Sequence, residues 1–415
     1  MYALGVICLS LLVLVGLLRL KVKIGLALVA AAGALAVLLG VTPAAMWRQL
    51  ALEWEAGVLT RTTPYLFVSL TSLLLLVNVV GEAMTQIGLS ERLVPAMQGL
   101  FRSRRVALAV IPLLMGLLPT PGGIMLSAPM VREAGDKIGV SRSRTAAINF
   151  FFRHQWEPVW PLFPAVPLIQ SMLAVSAARL IGHHLILTGA GIFGGVVFLL
   201  LAGIPPRRAE HMEAHAGLKA HLLDFVHVFW PIVLTAVLYV QFHVPPALGI
   251  LLAIVGLLLL HRVEWRRWPG IFKAAKEPDM VLLLFGALWF KLNLEAGGAV
   301  GDVVQFFDQM HMPPRLVVFL LPMLVAASTG VTMGTVAITY PFLMSYFGTG
   351  SGAQMGMETL AFAGVVFGLM ISPIHLCLAL SASYFKTPLV QIILKVLPAA
   401  LCVAGAGWVV VWLVR

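Results

Sequence analysis

The sequence predicts an all-α polytopic membrane protein built from two inverted-topology repeats, each of five transmembrane helices plus one re-entrant helical hairpin. Three observations predict it. The chain is too apolar for a soluble domain, its basic residues sort to one side of a membrane, and its second half repeats the first in register. Of 415 residues, 60% are hydrophobic and 11% charged, against roughly 45–50% apolar and 25% charged in soluble domains.

An uncharged run of about 17–25 residues crosses a hydrocarbon core of roughly 30 Å. Such runs fall near 3–18, 24–42, 64–88, 145–172, 184–204, 225–241, 246–261, 280–298, 359–384 and 396–414, which makes ten candidate crossings. The first has no basic residue before it and no small-residue cleavage site, so it is expected to be a retained helix rather than a signal peptide. Two more apolar runs, the hairpins at 105–134 and 315–345, are interrupted by Pro, Gly and Thr.

If each hairpin enters and leaves on one side, the charges sort. Arg19, Lys21, Lys23, Arg102, Arg104, Arg105, Arg207, Arg208, Arg266 and Arg267 fall inside. Glu53, Glu55, Asp302, Asp308 and Glu358 fall outside with few basic residues. The positive-inside rule then places a multi-pass chain in the cell's inner (cytoplasmic) membrane with both termini outside. The same bias accounts for the net charge of +11, so no nucleic-acid partner is expected. Cys8, Cys377 and Cys402 are far apart, with no CxxC and no metal spacing, and imply neither disulfide nor metal. The polar segment 205–224 is expected to be a cytoplasmic linker, its histidines His211, His215 and His221 lying on a solvated helix.

The halves align in order. "RVALAVIP" (105–112) faces "RLVVFLLP" (315–322), "PTPGG" (119–123) faces "STGVTMG" (328–334), "WEP" (156–158) faces "ISP" (371–373), and "PLIQ" (167–170) faces "PLVQ" (388–391). The first repeat is therefore 1–204, with broken helix 141–172, and the second 225–415, with broken helix 359–384. Five crossings per half force the second copy to insert upside down, the arrangement of secondary transporters.

Broken helices at membrane depth survive only where protein or water covers the freed backbone groups, so they mark a cavity. Pro119, Pro121, Gly122 and Gly123 reverse the chain at one tip; Gly330 and Gly334 do so at the other, with hydroxyls from Ser328, Thr329, Thr332 and Thr335. The outgoing half-helices begin with free N–H groups and positive dipole ends, which attract anions. Pro158 and Pro373 break the following helices in register, the second beside Ser372.

Arg153, His154 and Glu157 occupy one turn beside the first break, with Asn149 one turn before. Buried charges of this kind face a cavity or pair with each other. Both readings stay open: an internal Arg153–Glu157 pair, or Arg153 offering its fork to a substrate anion while His154 or Glu157 carries a coupling proton. His375 holds the related position near the second break. Lys291 and Glu295 are expected to pair or snorkel near a helix end. The amphipathic segments 46–59 and 263–276, with Trp47, Trp54, Trp265 and Trp268, are expected to lie on the membrane surface as arms. They join a fixed scaffold to a mobile core of hairpins and broken helices.

This organisation resembles the ion transporter superfamily, which includes divalent anion/sodium symporters, gluconate permeases and tripartite dicarboxylate transporters. The motifs "LLPTPGGIMLSAPM", "NFFFRHQWEP" and "SPIHLCLALS" more narrowly resemble an uncharacterised family of prokaryotic integral membrane permeases within it. The resemblance implies an elevator mechanism, a homodimer, and a site at the hairpin tips that includes Thr120, Gly122 and Gly123 at one tip and Ser328, Thr329, Gly330 and Thr332 at the other. The Ser-Asn-Thr signatures that clasp sodium in the symporters are absent from both tips.

The expectation is a secondary active transporter of a small organic anion, a carboxylate or sugar acid, with no cofactor and with H+ or Na+ as coupling ion. Its substrate site comprises the tip residues with Asn149, Arg153, Ser372 and His375; His154 and Glu157 carry protons. The alternatives are a cation/proton antiporter of the same fold and an intramembrane enzyme. The enzyme lacks support, because no nucleophile or metal set accompanies the histidine.

Overall fold

The computed structural model describes residues 2–89, 103–117, 124–202, 204 and 218–413. Among them there are helices and no strands. In the first half, α1 (Tyr2–Arg19), α2 (Ile24–Leu39), α3 (Pro43–Glu55) and α4 (Thr63–Gln86) are followed by α5 (Arg104–Met115) and α6 (Ile124–Lys137). Then come α7 (Arg142–Arg153), α8 (Ala165–Leu173) and α9 (Ala177–Gly194), which runs on as a π-helical turn to Leu201. In the second half, α10 (Leu218–Phe242), α11 (Pro246–Leu260), α12 (Trp268–Phe272), α13 (Pro278–Ala296) and α14 (Ala299–Gln309) precede α15 (Pro314–Thr329) and α16 (Thr332–Phe347). The last three are α17 (Met355–Ile371), α18 (Leu376–Phe385) and α19 (Leu389–Leu413).

Six spans are long and apolar enough to cross a membrane, or eight if two bent pairs each count as one. This is a multi-pass membrane protein. The expected ten crossings are not all single helices. The apolar run 145–172 is divided between α7 and α8 by a non-helical stretch at 154–164, and α11 reaches only 15 residues.

One bend has a local cause. After α2, the Thr42 hydroxyl accepts from the Ala45 N–H at 3.2 Å and Pro43 occupies the first turn, so a new helix starts at once and leaves at 106° to the old one. That helix, α3, buries none of its residues, and Trp47 and Trp54 are exposed. An exposed aromatic helix lying across its neighbours suits the membrane–water interface. Its anchor is Glu53, whose carboxylate accepts from Thr63 N–H and Oγ1, both at 2.7 Å, and from Lys291 Nζ at 3.2 Å. Lys291 also donates to Glu295 at 2.9 Å, so the expected pairing of these residues exists.

In a bilayer the hydrophobic effect does not drive one helix against another, so small residues that let backbones touch decide the packing. Gly364 and Gly368 lie one turn apart on α17; a methyl group on either would come within 2.3 Å of Phe319 O or 2.2 Å of Met323 O on α15. Helix α15 therefore rests directly on α17. The halves interlock elsewhere: α2 packs on α13, α4 on α11, α7 on α18, and α9 on α19.

Candidate functional site

The site is built where three interruptions meet. Helices α15 and α16 are joined only by Gly330 and Val331, α17 stops at Ile371 before Pro373 and resumes as α18, and α7 stops at Arg153. Each break frees backbone groups that lipid cannot satisfy. At the first break, Thr188 Oγ1 donates to Gln155 O at 2.9 Å and His184 Nδ1 donates to Pro158 O at 2.7 Å, both from α9. At the second break, Ser372 Oγ donates to Ala327 O at 2.8 Å and His375 Nδ1 to Gly330 O at 2.7 Å. The tip of the α15–α16 hairpin is thereby fastened to the α17–α18 break. The fit is close: Gly330 has φ +68°, and a Cβ there would lie 2.9 Å from both Cα and N of His375. Only glycine satisfies both conditions.

The same tip reaches the first break. Thr332 Oγ1, at the first turn of α16, donates to Glu157 Oε2 at 2.6 Å. Glu157 Oε1 lies 3.9 Å from His154 Nε2. The two imidazoles of His154 and His375 meet edge to face, with Nε2 atoms 3.0 Å apart, and Phe150 packs against both rings. Beside them, Cys377 Sγ lies 4.0 Å from Arg153 Nη1.

A cavity of about 460 Å³ opens onto this junction. Glu157, Thr329, Gly330, Thr332 and His375 line it, together with Asp279 of α13. That volume lies in the range of small-molecule sites. Two helices, α16 and α18, present their first turns to it through Thr332 and Leu376, and neither has a side-chain cap. Each start is a cluster of N–H groups with a partial positive charge.

The sequence-selected residues divide by this geometry. Glu157, Thr329, Gly330, Thr332 and His375 come together on the cavity wall. His154 stands in the next layer, in contact with His375, and Arg153 is buried beside Cys377. Ser372 is buried, its hydroxyl spent on Ala327, and Ser328 is exposed. Asn149 is fully buried away from the cavity: it accepts from Ser127 Oγ at 2.6 Å and donates to Ile124 O at 3.3 Å, tying α6 to α7. Thr120, Gly122 and Gly123 lie outside the described residues.

Two residues have surroundings that their sequence neighbours do not reveal. Glu358, counted on the outer side of the membrane by its charge, is wholly buried within the protein: it accepts from His184 Nε2 at 2.7 Å and from Tyr340 Oη at 3.0 Å. A carboxylate with two such donors can sit in a membrane protein's interior, which a charge count cannot show. Cys377, set aside for want of metal spacing, stands with His154 and His375, their ligand atoms all within 4.8 Å of one another. The only signal was the H-x-C spacing of His375 and Cys377; the third member comes from 221 residues earlier.

Residues 4–414 match the family described as "Protein of unknown function (DUF401)". No curated protein matches the chain.

Proposed function

The chain belongs to the DUF401 family, and for it we propose secondary active transport of a small organic anion, a carboxylate or sugar acid, by an elevator-type mechanism. The observation that carries this reading is the cavity of about 460 Å³ at which two uncapped helix starts and two helix breaks converge. Backbone N–H groups with aligned dipoles favour a carboxylate, and the His375 imidazole stands beside them. Glu157 already occupies the α16 start through Thr332. A coupling cation, H+ or Na+, must neutralise it before a second anion can share that helix end, and this links solute to ion.

The inverted repeat is part of the proposal. Its support is that contacts between elements come in exchanged pairs. Aligning α2 with α11 and α4 with α13 makes α2–α13 the counterpart of α4–α11; aligning α6 with α16 and α8 with α18, which sets aside the match of 167–170 with 388–391 because the latter begins α19, makes α6–α18 the counterpart of α8–α16. Two copies related by a two-fold axis produce that exchange. The hairpins then open to opposite faces, as alternating access requires.

Uptake into proteoliposomes under an imposed proton or sodium gradient tests the reading. Among labelled monocarboxylates, dicarboxylates and sugar acids, at least one accumulates saturably, and Gly330→Val, with the side chain forced against His375, does not support it. If none accumulates under either gradient while wild-type protein remains monodisperse, the proposal fails.

A further inference from the structure

The facing histidines have an electronic problem. Their Nδ1 atoms lie 2.6 Å from Phe150 O and 2.7 Å from Gly330 O. A carbonyl oxygen can only accept, so each Nδ1 carries its hydrogen, and each neutral ring is left with a lone pair on Nε2. Those two lone pairs face each other at 3.0 Å. Two acceptors at that distance repel unless an electron-pair acceptor lies between or beside them. Cys377 Sγ, the third soft donor, completes a cluster within 4.8 Å, and all three residues are buried.

We propose that His154 Nε2, His375 Nε2 and Cys377 Sγ bind a zinc-class transition-metal ion. The Cys377 thiol can donate to His154 Nε2 and so relieve part of that repulsion, with Arg153 Nη1 4.0 Å from its sulfur; a metal ion engages all three donors at once. Imidazole and thiolate suit zinc or copper(I); sodium, magnesium and calcium take oxygen ligands. With Zn–N distances of about 2.0–2.1 Å, tetrahedral ligation separates two nitrogens by roughly 3.3 Å, so the rings need to part by only a few tenths of an ångström. The two Nδ1–H bonds to carbonyls are the outer contacts that ordinarily fix the tautomer and orientation of a metal-ligating histidine. Binding releases the Cys377 thiol proton to solvent.

Three protein ligands leave the fourth position open. Glu157 Oε1 lies 3.9 Å from His154 Nε2, and His375 and Glu157 both line the cavity. The open position therefore faces whatever enters there. The proposal goes beyond transport and stands without it, since bound metal is measured on protein that transports nothing.

The test uses the full chain purified in detergent. After loading with zinc and desalting, elemental analysis is expected to find one zinc ion per chain. Loading with Co2+ instead is expected to produce a thiolate-to-cobalt charge-transfer band. Cys377→Ser, nearly isosteric, abolishes the band and the retained zinc, as do His154→Gln and His375→Gln, while Cys402→Ser, remote from the cluster, changes neither. Zinc also raises the thermal unfolding midpoint of the wild type and not of Cys377→Ser, which separates loss of a ligand from loss of the fold. Failure of the wild type to retain zinc or to show the cobalt band, or an undiminished band in Cys377→Ser, overturns the assignment.

Discussion

Among the described residues two His–Glu pairs are buried, and they are built differently. His184 and Glu358 are 2.7 Å apart with both side chains at 0% exposure, and every partner is present: Pro158 O on the other imidazole nitrogen, Tyr340 Oη on the other carboxylate oxygen. His154 and Glu157 are 3.9 Å apart, Glu157 looks into a cavity, and the His154 Nε2 meets another Nε2 and the Cys377 thiol rather than the carboxylate. A closed network fixes one arrangement of three helices, α9, α16 and α17. An open one leaves a polar group able to change partners. In a low-dielectric interior a fully satisfied network rigidifies the core, and a partly satisfied one is where a proposed ligand would supply the missing partner.

The sharpest way to break this comparison is to remove one member of the closed pair. His184→Ala or Glu358→Ala leaves a buried group uncompensated and is expected to cost about 3–5 kcal/mol, seen as a large fall in unfolding midpoint in detergent. His184→Ala also strips Pro158 O of its donor. Glu157→Gln, by contrast, keeps an oxygen to accept from Thr332 and is expected to change stability by less than about 1 kcal/mol while abolishing gradient-driven uptake. Equal stability losses in the two variants would erase the distinction.

Next in size is Gly330→Ala. The left-handed conformation costs about 1–2 kcal/mol for a non-glycine residue, and overpacking adds about 1–3 kcal/mol. The new methyl pushes His375 away from the hairpin tip. Unfolding is expected to shift by about 2–5 kcal/mol, with loss of uptake, whereas Gly5→Ala, with open space around it, is silent.

These contrasts show what the sequence could and could not carry. The breaks are local chemistry: Pro158, Pro373 and Gly330 act on the residues beside them, so the interruptions and the surface segment of Trp47 and Trp54 were readable from composition and spacing. Glu157, Thr332 and His375 followed, because polar residues next to a break must face something other than lipid. Partnerships across the chain were not readable. His184 and Glu358 are 174 residues apart, and each alone looks like a surface charge or a structural histidine. Asn149 illustrates the converse. Its one-turn spacing from Arg153 suggested a shared site, yet helix rotation turns its amide toward Ser127 on α6.

The finest test removes one hydroxyl from each pair. Tyr340→Phe takes a single donor from Glu358, which keeps His184 at 2.7 Å; Thr332→Val takes the threonine hydroxyl donor from Glu157 Oε2. A hydrogen bond to a charged group contributes about 1.5–3 kcal/mol, and the lower end is expected in both cases: the closed network holds its geometry without Tyr340, and Glu157 can turn toward the cavity. Stability alone therefore does not tell the two variants apart. Function does. Tyr340→Phe is expected to leave uptake kinetics unchanged, because its hydroxyl only supports an assembled core. Thr332→Val releases Glu157 from the start of α16, so the N–H groups there are free for solute, and the change that distinguishes it is in the concentration for half-maximal uptake. An uptake defect in Tyr340→Phe with none in Thr332→Val would reverse the roles assigned to the two pairs.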